Sequence, residues 1–468
     1  MIKRRFLFAA LLLIPFQNTN TTDNRTAKTF MATRPIYQNI NASQFLFHDA
    51  IYSDKNSLIQ ITPLYQKSMA YAANKEYFLI NNKQSLRIKG SNSSEANRDI
   101  CANWLEISNT NFSGNVTVSP EQTQYGVVAD YNLSLKDVSD WTFFKNLWIG
   151  FSIPWVCAKQ NLKLSQENVQ NEGDATGPTD IAQALKRNNL KYSRMDDTER
   201  TKIDVPELRL KFGAKYEGKN GFKIRTQSSL IIPLESKPDP TYLFDPTLGN
   251  NGHFGTTSGV YFDIPLTEKD EAPEFNIFIY GEYNYYFKNT QKRTIELYNK
   301  PWSRYLLLRK NGEPATIPAA NELTLDVKVE PYNFAEVSLG LRLKAGSCQA
   351  QIGYGIWAHG TETLSLTETF TTEYGIAGPG TGSANASTML SWPTSDDTNF
   401  TTIRESDLDL NSAAAQSAVV HKIHGEIGML FEKKKLDTFV GVGGSLDIPH
   451  YNTALKNWSL WGKVGLNF

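Results

Sequence analysis

The chain is predicted to be all-β: an antiparallel transmembrane β-barrel of about fourteen strands, with twelve as the alternative, and long outer loops. Three observations predict it. Apolar and polar residues alternate with period two in segment after segment, the mark of a strand whose faces meet different surroundings. Short turns alternate with long polar loops, as in a meander able to close on itself. No stretch is apolar over the roughly 20 residues that a membrane helix requires.

The bulk composition fits this plan. A chain of 468 residues exceeds one ordinary soluble core, and a large barrel is the main exception. Its 48 basic and 48 acidic residues balance, which removes any global argument for nucleic acid. Aromatics make up 12%, including 21 Tyr and 25 Phe, which is ordinary for a soluble β protein and also suits girdles at membrane interfaces. Cys101, Cys157 and Cys348 lie far apart without CxxC spacing, so neither a metal cluster nor a disulfide framework is expected. Lys3-Arg-Arg5 followed by the apolar run Phe6–Phe16 and a polar stretch reads as a secretory signal within residues 1–20. Residues 21–56, mixed and aromatic, read as an N-terminal extension or a plug, and 57–468 as the barrel.

In chain order, the first strand is Leu58–Ser68, with Ile59, Ile61 and Tyr65 on one side. A poorly patterned region, Ala70–Gln122, follows. Tyr125, Val127, Ala129, Tyr131 and Leu133 then face one way, and Leu147, Ile149, Phe151, Ile153 and Trp155 repeat the pattern. Pro154 marks an interrupted or edge position there. Ser165–Ile203 reads as an exposed loop with a short helix near Ile181–Asn189. The clearest hairpin pairs Leu208–Tyr216 with Phe222–Leu234 across Gly218-Lys-Asn-Gly221. Further strands are expected at Phe254–Leu266, Glu274–Lys288, Glu322–Glu330, Ala335–Lys344, Cys348–His359, Val419–Phe431, Leu436–Ile448 and Leu455–Phe468. That makes about thirteen, and single-chain bacterial barrels have an even number. A further strand near Leu364–Thr371 brings the total to fourteen.

In a closed barrel one face of each strand is the lumen wall. The expected wall includes Glu207, Arg209, Lys211, Lys215, Lys223, Arg225, Asp326, Arg342 and Lys344, with Glu217 and Glu336. A row of strand charges is usually a solvated face; inside a barrel that face is the pore. Arg209, Lys211, Lys223 and Arg225 on one hairpin imply a positive wall, hence a preference for anionic solutes.

Catalytic constellations are sparse. His421 and His424, three apart on a strand, point to opposite faces and share no metal. His253 reads as a loop residue, and Asp396-Asp397 with Asp407 and Asp409 as solvated loop acids. No G-x-S-x-G, H-E-x-x-H or Walker motif occurs. The expectation is a protein without enzymatic activity, metal or cofactor. Two other readings stay open: a structural or adhesive surface barrel working through its loops, above all Gly360–Ala418, and a secreted soluble β protein.

The chain ends on Ser459-Leu-Trp-Gly-Lys-Val-Gly-Leu-Asn-Phe468, with Val464, Leu466 and Phe468 on one face. This resembles the closing strand of Gram-negative outer-membrane barrels, which implies recognition by their barrel-assembly machinery. The family's usual glycine five positions before the aromatic is Lys463 here, with Gly462 and Gly465 on either side. The plan over Tyr125–Phe468, with Pro206-Glu-Leu-Arg-Leu-Lys-Phe-Gly-Ala-Lys-Tyr216 and Ser229-Leu-Ile-Ile-Pro-Leu234, is similar to the porin-like FadL-type channels for hydrophobic compounds. That resemblance implies outer-membrane localisation, contact with lipid and passive passage of small molecules. It carries no substrate-binding residue across.

Overall fold

The computed structural model describes residues 27–39, 55–92, 98–138, 144–171, 177–268, 273–377, 400–433 and 435–468. Twelve long strands form one antiparallel meander: β1 Ser57–Ser68, β2 Glu121–Ser134, β3 Leu147–Asn161, β4 Glu207–Glu217, β5 Lys223–Pro233 and β6 Gly255–Pro265. The second half comprises β7 Glu274–Tyr286, β8 Phe334–Ala345, β9 Cys348–His359, β10 Ala418–Phe431, β11 Asp437–Pro449 and β12 Asn457–Asn467. Each strand pairs with its sequence neighbours, and β12 pairs with β1, which closes the ring. Arg200–Asp204 adds a short rung beside the end of β3.

Twelve strands, rather than fourteen, is the alternative count. The two extra segments exist but lie outside the ring. Thr324–Glu330 and Thr363–Leu366 pair with each other, and with Asn289–Thr294 they make a separate three-stranded sheet among the loops. Their apolar residues Val327, Val329 and Leu364 face a protein core instead of lipid. Pro331–Phe334 accordingly lies at the long-loop end.

The alternation becomes an apolar outside and a polar inside. Ile59, Ile61, Phe212, Leu339, Leu341, Ile352, Ile427, Val442 and Val464 all lie exposed on the outer surface. Gln66, Gln124, Glu207, Arg209, Glu336, Arg342, Lys422 and Lys463 are buried inside. A closed ring leaves no strand edge, so every backbone pair is satisfied without water, the condition for spanning lipid. No helix among the described residues is long and apolar enough to cross a membrane.

One end of the barrel has short turns. In Gly218–Phe222 the Gly221 φ of +80° and the Gly218 amide bond to the Phe222 carbonyl, 2.7 Å, close the hairpin. Ala345 pairs directly with Cys348, and Gly346 takes the positive φ required of the first central residue in a type II′ turn. The chain end lies at this rim: the Phe468 carbonyl accepts from the Asn56 and Ser57 amides at 3.1 and 2.8 Å.

At the other end the loops are not simply exposed polar segments. They pack into a cap with its own apolar core, including Phe78, Leu86, Ile88, Trp104, Leu185, Trp302, Tyr305 and Leu408. Ser165–Gln170 joins a four-stranded sheet there. Helix Ile181–Leu185, capped by the Asp180 side chain on the Gln183 amide, packs Ile181 and Leu185 into the core.

Candidate functional site in the barrel lumen

The lumen is defined by what its twelve inner faces carry and by what fills it. Arg209 pairs with Glu207, Lys211 with Asp130 at 2.5 Å, and Arg342 with Asp263. Arg225 lies 4.2 Å from the Trp148 ring centre. Lys344 reaches Glu274 at 3.9 Å; Lys215 and Lys223 are half-buried lower on the same wall, where Glu217 is exposed. The positive field expected of the Arg209–Arg225 hairpin is therefore offset at Arg209 by Glu207, two residues away on the same face, and at Lys211 by Asp130, a partner that sequence spacing does not reveal. Asp326 is corrected: it lies exposed on Thr324–Glu330 in the loop sheet, off the barrel wall.

Aromatic rings smooth this wall by lying over inward glycines. Phe439 covers Gly465, where an added Cβ would fall 2.0 Å from the ring. Gly465→Ala is expected to push Phe439 toward the axis and to destabilise the barrel by about 1–3 kcal/mol, the usual cost of overpacking. Unfolding in denaturant with matched m-values checks this.

The sequence left residues 21–56 open between an N-terminal extension and a plug. Residues 27–31 pass through the cap, where the Lys28 amide donates to the Tyr77 carbonyl at 3.0 Å and Thr29 Oγ1 to the Thr294 carbonyl at 2.6 Å. The single helical turn α1, Ile36–Asn39, is buried inside the barrel. Ile36 and Tyr37 pack on Leu64, Val156, Ala158, Leu248 and Trp461. The Ile36 amide donates to Gln124 Oε1 at 2.9 Å. Asn39 donates to Asp447 and, at 2.6 Å, to Gln66 Oε1, while its carbonyl accepts from Lys422 Nζ at 2.6 Å. Arg34 closes the set, donating to Glu336 Oε2 at 2.6 Å while Lys422 holds the other oxygen at 2.9 Å. A segment without regular alternation gives no sequence signal of docking; its aromatics were the only hint.

Above α1 the mouth holds two shifted groups. Burial, with Arg293 and Lys237 nearby, pushes the His253 imidazole down to about 4, against the Phe287 carbonyl. The neutral ring fits its contacts: Nδ1 donates to the Phe287 carbonyl at 2.8 Å and Nε2 accepts from Gln291 at 2.9 Å. This is a structural histidine, not one set to move protons. Burial also pushes the Glu235 carboxyl up to about 7, with Glu207 adding to the effect; Lys202 and the Gly249 and Leu248 amides oppose it.

A carboxyl raised from 4.5 to about 7 stabilises the fold fully below 4.5, and that contribution is lost as pH rises through about 7. Hydrogen exchange at the Leu248 and Gly249 amides, which Glu235 accepts at 3.2 and 3.0 Å, is expected to show loss of protection across this window. Glu235→Gln should flatten the profile; an unchanged profile in that variant would assign the effect elsewhere.

Among the described residues no cluster of His, Cys, Asp or Glu has the shape of a metal site. His421 faces outward, bonded to the Tyr354 hydroxyl at 2.6 Å, and His424 faces inward to Ser338 Oγ at 3.0 Å. Asp409 accepts from the Asn411 amide at 3.1 Å and Asp407 from the Arg404 amide at 2.8 Å, as turn caps. Asp396 and Asp397 fall outside the described residues. The three cysteines are free, Cys101 and Cys157 buried and Cys348 exposed.

No family model and no curated protein matches the chain. Among solved structures it is similar to an outer membrane channel from Pseudomonas putida F1: 10% identity over 89% of this chain and 97% of that one, TM-score 0.42. It is also similar to the β domain of the Bordetella autotransporter BrkA, 9% identity over 89% and 100%, TM-score 0.31. A mutant of the TodX monoaromatic hydrocarbon channel aligns at 10% identity over 89% and 92%, TM-score 0.34. The chain itself is a twelve-stranded transmembrane β-barrel with a packed cap at one end and its own N-terminal segment in the lumen.

Proposed function

We propose that this protein is an outer-membrane channel for small solutes, without enzymatic activity, held closed at rest by residues 27–39. One observation carries the reading. The strands enclose a wall that carries many buried charges with aromatic rings between them, and the segment that fills it is not a strand of that wall. Burying so many charges costs more than an apolar filling of the same volume, so a barrel serving only as a surface anchor gains nothing from them. Short turns then face the periplasm and the cap faces outward, the apolar belt meets lipid, and Val464, Leu466 and Phe468 present the closing strand to the assembly machinery.

A second reading has its own support. The filled lumen and the packed cap also suit a structural or adhesive barrel that binds partners through its loops. Single-channel recording of the full-length protein separates the two. The channel reading expects long silences broken by brief ohmic steps. Urea below the barrel's unfolding range should lengthen the steps, since it weakens the contacts holding the segment. Silence at every such concentration would move the assignment to the second reading.

A further inference from the structure

Arg34 stands in an aromatic chamber at the top of the lumen. Tyr286 contacts Phe334 at 5.9 Å, Phe334 contacts Trp357 at 5.9 Å, and Trp357 contacts His359 at 4.8 Å; Tyr332 stacks on His359 at 3.7 Å. The Arg34 guanidinium carbon lies 4.8 Å from the Trp357 ring centre, and one of its nitrogens donates to Glu336 at 2.6 Å. A ring face together with a carboxylate is the arrangement by which proteins hold guanidinium, amidinium and ammonium groups. The cation in this chamber comes from the N-terminal segment, not from the barrel.

The wall's own charges do not balance without it. Glu336 bonds Lys422 at 2.9 Å, and Asp447 is the cross-strand partner of Lys422. Glu282 is the cross-strand partner of Glu336, so the carboxyl groups outnumber Lys422 on this wall, and Arg34 adds a second cation. With Arg34 present, the free volume it leaves beside Tyr286, Tyr332, Phe334, Trp357 and Glu362 is only about 20 Å³. That is room for about one water molecule, far too little for a ring.

We propose that this chamber is a binding site for small planar organic cations, such as a ring bearing an amidinium or ammonium group, and that Arg34 is its built-in occupant. Solute and segment then compete for Trp357 and Glu336. This rests on the channel reading, and it gives that channel a preference opposite in sign to the one its basic hairpin suggests.

The test is calorimetric titration of the full-length, detergent-purified protein with benzamidinium, using benzamide and benzoate as neutral and anionic comparators. Arg34→Ala is expected to bind benzamidinium at least tenfold more tightly than the unsubstituted protein. Adding Trp357→Leu or Glu336→Gln should remove at least fivefold of that gain, and both comparators should bind at least tenfold more weakly. Gel mobility before and after boiling shows which variants hold the folded barrel. Equal binding of benzamide, or no gain in folded Arg34→Ala, overturns the proposal. Conductance is read separately: a variant that conducts without binding benzamidinium sinks the site and leaves the channel, and one that binds without conducting sinks the channel alone.

Discussion

Arg34→Ala combined with Asn39→Ala is expected to turn a mostly closed barrel into one that conducts for most of the recording. These two residues join the segment to the wall at Glu336, Asp447 and Gln66. A hydrogen bond to a charged group contributes about 1.5–3 kcal/mol. Losing two of them shifts the closed–open balance by roughly 3 kcal/mol at the low end, about a hundredfold in the ratio. Glu336 keeps Lys422 through both changes, whereas the buried Asp447 loses the Asn39 amide. Planar-bilayer recording at fixed voltage measures the open fraction directly. The single Asn39→Ala variant should fall between the two extremes. If the double variant is folded yet as silent as the unsubstituted protein, the segment is not what closes the lumen.

Glu296→Ala is expected to destabilise the cap by about 3–5 kcal/mol while leaving the barrel folded. Glu296 and Arg304 are both fully buried in the cap core. The carboxylate accepts from the Arg304 guanidinium, from Ser303 Oγ at 2.6 Å and from the Arg304 amide at 3.1 Å. Its removal strands a permanently charged guanidinium among Trp302 and Tyr305, whose ring centres lie 5.6 and 4.8 Å away. Breaking one side of a buried pair carries a penalty of that size, whereas replacing both partners with apolar groups is often neutral. Hydrogen exchange should therefore show the cap losing protection in Glu296→Ala and regaining most of it in Glu296→Leu with Arg304→Met. The barrel's gel shift on boiling should be unchanged in both variants. A loss of protection that spreads equally into β1–β12 would show that cap and barrel unfold as one unit.

The twelve barrel strands were all legible in the sequence, from the pair at Leu58 to the closing strand at Phe468. Each has one face against lipid and one against a polar interior, and that contrast is written into every second residue. The hairpin at Gly218–Gly221 was equally plain, because the turn needs residues that accept unusual backbone angles. The count of fourteen failed for a definite reason. Thr324–Glu330 alternates as cleanly as any barrel strand, yet Val327 and Val329 are turned to the cap core. Period two reports that a strand has an apolar side; it does not report what that side touches.

The same limit explains what was missed at the site. Arg209, Lys211, Lys223 and Arg225 were read as one positive wall, with Arg342 on the same lumen face, because neighbours along one hairpin are visible in sequence. Their partners across the lumen or on another strand, Asp130 and Asp263, are not. The docking of Arg34 and Asn39 in the lumen depends on contacts to residues some 300 to 400 positions away. What the sequence determined by itself was which side of each strand meets lipid, because the solvent imposes that choice one residue at a time. Which strands close the ring, which charges cancel and what occupies the lumen were decided only in the tertiary structure, where those distant residues meet.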